Sequence, residues 1–118
     1  PDLRGGVIEL GAGWVPALLR RLDLIAQIWK RSESDLAALK TAPSVLISRQ
    51  MAFTPYPFDD VGAMIRESNP DLYLFSSDYP HIEGGRNPLG RFETSLEGMS
   101  DEVQSKFYSQ NMATLLGS

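Results

Sequence analysis

The chain has 118 residues, a length that suits one compact domain. Its 11 Lys and Arg are outnumbered by 15 Asp and Glu, and the net charge of −4 argues against the clustered basic surface of a nucleic-acid-binding protein. No apolar run approaches the roughly 18 residues of a membrane span, and no signal-peptide pattern opens the chain, so we expect a cytoplasmic protein without membrane contact. The chain has no Cys, and any bound metal must therefore have oxygen and nitrogen ligands.

The first half of the chain predicts two strands that alternate with helices. An apolar run over residues 7–10 predicts the first strand, and a helix beginning near Pro16 follows it. The apolar stripe of this helix, which we expect to pack on the sheet, consists of Leu18, Leu22, Ile25 and Trp29. A second strand is predicted over residues 45–53. Asp59 and Asp60 then supply acidic caps for a further helix.

The second half of the chain predicts a third strand and the end of the domain. The strand runs over residues 72–76 and is followed by Pro80, which cannot donate to a sheet ladder. Gly84 and Gly85 allow the next loop to turn back over the end of the strand. The remaining predicted landmarks are helix starts at Asn87 and Ser100 and a closing helix that ends near Leu116.

Strands that alternate with helices indicate an α/β fold with a parallel sheet, here of about three strands. In such folds the side chains that follow the carboxyl ends of the strands carry the chemistry, because these ends meet at one edge of the sheet. A sheet of three strands also leaves hydrogen-bonding edges and part of an apolar face uncovered, so we expect self-association.

Five side chains near the predicted strand ends are candidates for chemistry. Asp78 follows the third strand and suits a metal ligand or a proton acceptor, although an Asp in this position also caps turns. Glu9 suits a second carboxylate for an oxygen-preferring cation, or an acceptor of backbone hydrogen bonds. His81, the single His of the chain, suits a metal ligand, an acid–base group or a loop anchor. Glu83 and Arg86 are candidates for substrate contact, with solvated loop charges as the alternative.

Three segments carry a family resemblance. They are residues 6–16 (Gly-Val-Ile-Glu-Leu-Gly-Ala-Gly-Trp-Val-Pro), residues 76–81 (Ser-Ser-Asp-Tyr-Pro-His) with the loop that follows, and residues 111–117 (Asn-Met-Ala-Thr-Leu-Leu-Gly). In this order they resemble metal-dependent amidohydrolases, above all the amidohydrolase-related group that includes aminocarboxymuconate-semialdehyde decarboxylase. The resemblance implies a (β/α)8 TIM barrel, which needs roughly 250 residues. Residues 1–118 would then be a truncated, C-terminal part of the barrel, with about three parallel strands and flanking helices.

The resemblance also implies roles for the candidate residues. In the family, the strand-end Asp that matches Asp78 binds a divalent metal ion, zinc foremost, or exchanges protons with the bound water. The strand that matches residues 7–10 commonly ends in His before the glycines, whereas this chain has Glu9, which we interpret as a second metal carboxylate. His81 belongs to the last-strand signature without being a principal ligand, and we expect it to orient its neighbours. The early H-x-H pair that anchors the metal in this superfamily does not occur in these residues, so we expect this chain alone to be inactive.

The functional prediction that follows is the C-terminal fragment of a metal-dependent enzyme with a small-molecule substrate. The complete enzyme would use a metal-activated water to hydrolyse a C–N or C–O bond, or would act as a lyase that decarboxylates a small carboxylate. The alternative is a catalytically inactive fragment or interaction module, which self-associates as a homo-oligomer or assembles with a missing N-terminal part.

Overall fold

The computed structural model describes residues 2–118 and shows a mixed α/β arrangement. Its two strands are β1 (Gly5–Val7) and β2 (Met51–Phe53). Its helices are α1 (Val15–Trp29), α2 (Ser34–Ala38), α3 (Pro43–Gln50), α4 (Val61–Glu67), α5 (Pro88–Ser95), α6 (Asp101–Ser105) and α7 (Asn111–Leu116). Two short 3₁₀ turns lie at Pro70–Leu72 and Ile82–Gly84, and a π turn over Lys106–Gln110 joins α6 to α7. Within residues 2–118, no helix combines the length and apolar character that crossing a membrane requires.

The sheet is parallel, as predicted, but smaller than predicted. β1 pairs with β2, and Val7 stands opposite Phe53. On the other side of β2, Tyr73 makes a single parallel bridge to Phe53, and the Leu74 amide donates to the Phe53 carbonyl over 2.9 Å. The prediction of a full third strand over residues 72–76 is therefore wrong. The ladder with β2 stops because its next donor would be residue 55, and Pro55 has no N–H. The Phe75 amide points to the opposite edge, where it donates to the carbonyl of Phe107 in the π turn over 3.0 Å.

The first two predicted strands also have different bounds in the structure. β1 ends at Val7, because Glu9 has a φ of 58° that an extended strand does not contain, and the predicted strand residues Ile8 and Leu10 are exposed. Most of the predicted second strand, from position 45 to position 50, belongs to α3. Pro43 occupies the first turn of this helix, where its missing N–H costs little, so the short apolar alternation that follows continues as a helix.

The longest helix, α1, is fixed to the domain by its N-terminal half. Val15 and Leu19 are buried, and the helix packs against α3 and α4. Of the predicted stripe, Ile25 and Trp29 are 38% and 52% exposed, so the prediction that the whole stripe packs on the sheet is wrong. The helix is held from another side, where the Asp23 carboxylate accepts hydrogen bonds from the amide and hydroxyl of Ser44 at 2.9 and 2.7 Å.

The helix starts that the sequence predicted are confirmed where a side chain caps the backbone. Asp60 accepts a hydrogen bond from the Ala63 amide at the start of α4. Asn87 and Ser100 cap α5 and α6 in the same way. These caps are local features, set within three residues along the chain, and they satisfy amides that the helix itself leaves without acceptors.

An aromatic cluster forms the part of the core beneath the third extended segment. The rings of Phe92 and Phe107, both fully buried, lie with centroids 5.0 Å apart, and Phe75 and Tyr108 pack edge-on or tilted against them. Such edge-to-face contacts add to the free energy gained by burying apolar area. The cluster ties α5 and the π turn to the segment that leads to Asp78.

Asn111 links the closing helix to the same segment. This buried amide donates to the carbonyls of Pro70 and Tyr73 over 2.8 and 2.9 Å. Two backbone acceptors in the domain interior are thereby satisfied by one side chain. The closing helix ends at Leu116, as predicted, with Gly117 in the left-handed conformation that ends many helices.

Candidate metal centre

The candidate residues meet at the carboxyl edge of the parallel segments. Glu9 lies just beyond β1, Tyr56 lies just beyond β2, and Asp78 lies just beyond the bridge made by Tyr73. A cavity of about 250 Å³ opens at this edge. Its lining residues are Ile8, Glu9, Thr54, Pro55, Tyr56, Phe75, Ser76, Ser77, Asp78, Tyr79, His81 and Met112. The structure thus brings together side chains that are far apart in the sequence, at the edge where the strand-end argument expects them.

Within this cavity, Glu9, Asp78 and His81 form a compact cluster. The His81 Nδ1 atom lies 3.3 Å from the Asp78 Oδ1 atom and 3.6 Å from the Glu9 Oε1 atom. One ligand atom from each of the three residues falls within 4.8 Å of the other two. The Asp78 side chain is 10% exposed, whereas those of Glu9 and His81 are 63% and 52% exposed. Asp78 therefore forms the inner wall of the cluster and the other two its rim.

The donor set and its spacing fit a divalent cation. Carboxylate oxygen and imidazole nitrogen are ligands that zinc and similar ions accept. Ligand atoms about 2.1 Å from a tetrahedral ion stand about 3.4 Å apart, close to the two contacts that His81 makes. The spacing of Glu9, Asp78 and His81, with one ligand atom of each within 4.8 Å of the others, is thus in the range that suits an ion bound beside them.

Both carboxylate residues have unusual backbone conformations. Glu9 has a φ of 58° and Asp78 a φ of 55°, in the left-handed region that glycine favours. Such conformations cost about 1–3 kcal/mol each and cluster at functional sites, where the surrounding structure holds them. At Asp78 that support includes the loop that follows, since a Cβ atom on Gly84 would lie 2.4 Å from the Ser77 carbonyl oxygen. The loop therefore folds closely over the end of the segment, as the glycines predicted.

Tyr56 supports the conformation of Glu9. Its phenol donates a hydrogen bond of 2.9 Å to the Glu9 carbonyl. Its ring lies so close to Gly11 that a Cβ atom there would approach it to 2.8 Å, and Gly11 itself has a φ of 61°. Asp59 completes the support, because one carboxylate oxygen accepts from the amides of Tyr56 and Ala12, both at 3.0 Å.

Tyr56 was not among the predicted site residues, and the predicted role of Asp59 is wrong. Asp59 was predicted to cap α4, but only Asp60 accepts a bond from that helix, while Asp59 joins the two loops after β1 and β2. The signal for Tyr56 was present in the Thr54–Pro57 loop, which directly follows β2 and so must lie at the same sheet edge as Asp78.

The electrostatic environment of the centre is acidic. The pKa of the Tyr56 phenol is raised above its ordinary value, first by partial burial and then by the surrounding negative charges. Those charges are, in order of effect, Glu83, Asp78, Glu9 and Asp59. The phenol therefore stays protonated near neutral pH and remains a hydrogen-bond donor. An acidic centre of this kind attracts a cation.

The two predicted loop residues differ in their relation to the centre. Glu83 lies in the 3₁₀ turn after His81, near enough for its charge to act on the Tyr56 phenol. Arg86 is exposed and does not line the cavity. Trp14 packs edge-on against Phe53, with ring centroids 5.5 Å apart, in keeping with a packing role for that residue.

Comparisons with known proteins extend this description. Neither a scan against protein-family models nor a search of curated proteins found a match. Among solved structures, the chain is similar to the crystal structure of an amidohydrolase from Mycobacterium avium subsp. paratuberculosis K-10, with 30% sequence identity and a TM-score of 0.79. The match covers 99% of this chain and 29% of that chain. The chain thus spans less than a third of this amidohydrolase, and its fold is amidohydrolase-like.

Proposed function

We propose that this chain supplies the C-terminal part of a metal-dependent, amidohydrolase-like enzyme, with Asp78 and Glu9 as metal ligands and His81 as the group that orients them. The observation that carries the proposal is the meeting of these three side chains at the carboxyl edge of three parallel segments. The likeness to 29% of an amidohydrolase supports the further proposal that the chain is part of a (β/α)8 barrel.

Each side chain has a distinct role in this proposal. When bound, a divalent cation polarises a substrate oxygen and lowers the pKa of water. Asp78, the least exposed of the three, holds the cation and accepts a proton, while Glu9 adds the second carboxylate at the rim. His81 keeps the Asp78 carboxylate in place through its Nδ1 contact of 3.3 Å. Zinc is the proposed ion, because it accepts carboxylate oxygen ligands and is the foremost ion of the family that the sequence resembles.

The reaction class follows from the same chemistry. Metal-activated water suits hydrolysis of a C–N or C–O bond, and a metal-polarised carboxylate suits decarboxylation of a small substrate, the reaction of the aminocarboxymuconate-semialdehyde decarboxylase-like group. We propose hydrolysis as the first candidate because the amidohydrolase similarity supports it directly. We expect the 118-residue chain to bind the metal without turnover, since two carboxylate ligands, one of them at the exposed rim, hold it weakly.

Replacing Asp78 by Asn tests the proposed metal site. We expect one zinc ion to bind per chain, and the Asp78→Asn change to weaken binding by about 10- to 100-fold, because a neutral amide replaces the innermost carboxylate. Calorimetric titration with zinc chloride, together with circular dichroism of the folded variants, gives the measurement. Asp35→Asn serves as the control, since this exposed carboxylate lies in α2, outside the cluster. No zinc binding by the wild-type chain, or equal affinity in the Asp78 variant, would contradict the proposal.

Replacing Tyr56 by Phe tests how the Glu9 carboxylate is positioned. We expect zinc affinity to fall about 10-fold, because the bond that fixes the Glu9 backbone is lost while the ring is kept. Tyr79→Phe is a matched control, since Tyr79 lines the same cavity but is 87% exposed, and no bond of its hydroxyl occurs among residues 2–118. Equal affinities of the two variants would show that the Tyr56 hydroxyl does not position Glu9.

A second candidate function is assembly with another segment or chain along the sheet. β1 pairs with β2 on one side, and no strand within the described residues pairs with its other side. An open edge of this kind presents backbone groups that a further strand can pair with. This candidate is compatible with the metal centre, because the partner strand would continue the same parallel sheet.

A further inference from the structure

A second cavity, of about 310 Å³, opens at the amino edge of the parallel segments, the edge opposite to the metal centre. Arg4 directly precedes β1, and Arg49 lies two residues before β2. Asp71 lies two residues before Tyr73, which makes the bridge to β2. The amino ends of neighbouring parallel segments meet at one edge of a sheet, and all three side chains line this cavity. We call it the amino-edge cavity.

The π turn supplies another part of the wall of the amino-edge cavity. Lys106 and Gln110, the first and last residues of the turn, both line the cavity. The Lys106 Nζ atom lies 2.8 Å from the Asp71 Oδ1 atom and 3.7 Å from the Glu102 Oε1 atom. The cavity thus lies between the sheet edge and a turn that an ion pair joins to it, and π turns within helices occur frequently at functional sites.

Two guanidinium groups in the amino-edge cavity have no carboxylate partner. Arg49 makes no hydrogen bond or ion pair within residues 2–118. Arg4 donates one hydrogen bond, from Nη1 to the Thr114 carbonyl, and its other N–H groups have no acceptor in the described part of the chain. Asp71, whose carboxylate lines the cavity, is paired with Lys106. The cavity therefore carries a positive charge that no carboxylate of the described residues balances, although the net charge of the chain is −4.

We propose that the amino-edge cavity binds a phosphate group, free or carried by a small molecule, with the guanidinium groups of Arg4 and Arg49 as donors. Arg presents a fork of N–H groups that matches phosphate oxygens, and charged pairs of this kind form strong hydrogen bonds. A phosphate group carries about two negative charges near neutral pH and three acceptor oxygens, so it can accept from both guanidinium groups at once. The volume lies at the lower end of the range for small-molecule sites, with room for the phosphate and a short organic group.

Nuclear magnetic resonance titration of the full chain with inorganic phosphate, at constant ionic strength, tests the proposal. We expect saturable binding of one phosphate per chain. Arg49→Gln and Arg4→Gln should each weaken this binding by about 10-fold, because each removes charged donors. Arg31→Gln is the matched control, since it removes the same charge from an exposed position outside the cavity. It should leave the affinity unchanged, and the amide spectra show whether each variant is folded.

Glycerol phosphate and acetate, titrated in the same way, identify the ligand more closely. Tighter binding of glycerol phosphate than of inorganic phosphate would support a phosphorylated small molecule as the ligand, and equal binding would support the free phosphate ion. Binding of acetate as tight as that of phosphate, no saturable binding of either phosphate, or equal affinity in Arg49→Gln and Arg31→Gln would overturn the proposal. Zinc titration in phosphate-free buffer is independent of these outcomes, since the amino-edge cavity shares no residue with the metal centre.

Discussion

Replacing Phe107 by Ala is expected to lower the free energy of unfolding by about 3–5 kcal/mol. Phe107 is fully buried, and its ring packs against the rings of Phe75, Phe92 and Tyr108. The change removes a large apolar surface and leaves a cavity that four packed elements close only in part. Urea unfolding followed by circular dichroism measures the loss.

The control for Phe107 is another Phe in a different environment. Phe58 is 61% exposed and stacks under the Arg91 guanidinium, which lies 4.5 Å from its ring centroid. Phe58→Ala should therefore cost less than about 1 kcal/mol. Equal losses for the two variants would mean that the aromatic cluster does not hold the domain together.

Replacing Asn111 by Leu is expected to cost about 2–4 kcal/mol of unfolding free energy. The variant keeps a side chain of similar size but leaves the carbonyls of Pro70 and Tyr73 without their donor. Each interior acceptor left unpaired costs about 1–3 kcal/mol. Urea unfolding again gives the measurement.

Gln110→Leu is the neighbouring control for Asn111. Gln110 is exposed and its side chain donates to the hydroxyl of Ser105, so its replacement should cost less than about 1 kcal/mol. If Asn111→Leu unfolded at the same urea concentration as wild type, Asn111 would not anchor the segment that leads to Asp78.

The features that the sequence predicted well are those set by neighbouring residues. Asp60, Asn87 and Ser100 each stand at the start of a helix and accept a hydrogen bond from the amide three residues later. The sequence shows such a cap directly, as an Asp, Asn or Ser just before a helical apolar pattern. Glu9 and Asp78 were expected to meet because the carboxyl ends of parallel strands lie at one edge of the sheet. This rule holds even when the predicted bounds of a strand are wrong by a few residues. The likeness to an amidohydrolase agrees with the family that these segments resemble.

The features that the sequence did not predict depend on distant partners. Asp59 accepts from Ala12 across 47 residues of chain, and Tyr56 donates to Glu9 across the same distance. The predicted strand lengths were wrong for the same reason, because a strand extends only as far as its partner, and Pro55 has no N–H to continue the ladder beyond Leu74. The apolar alternation from position 45 to position 50 fits a strand or a short helix equally well, and only Pro43 in the first turn decides for the helix.

The π turn over Lys106–Gln110 constrains the number of residues in this part of the chain as well as their identity. Its wider winding lets the Asn111 amide reach the Lys106 carbonyl, while the Phe107 carbonyl receives the Phe75 amide. Losing one residue here would return the helix to regular winding, which takes about one residue fewer per turn, and would leave Asn111 facing Pro70 and Tyr73. In regular winding the Phe107 carbonyl would accept from an amide of its own helix, and the Phe75 amide would have to compete for its acceptor. In this protein, a deletion about 30 residues away in sequence would therefore reach the segment before Asp78 through one backbone hydrogen bond, with every side chain of the candidate centre intact.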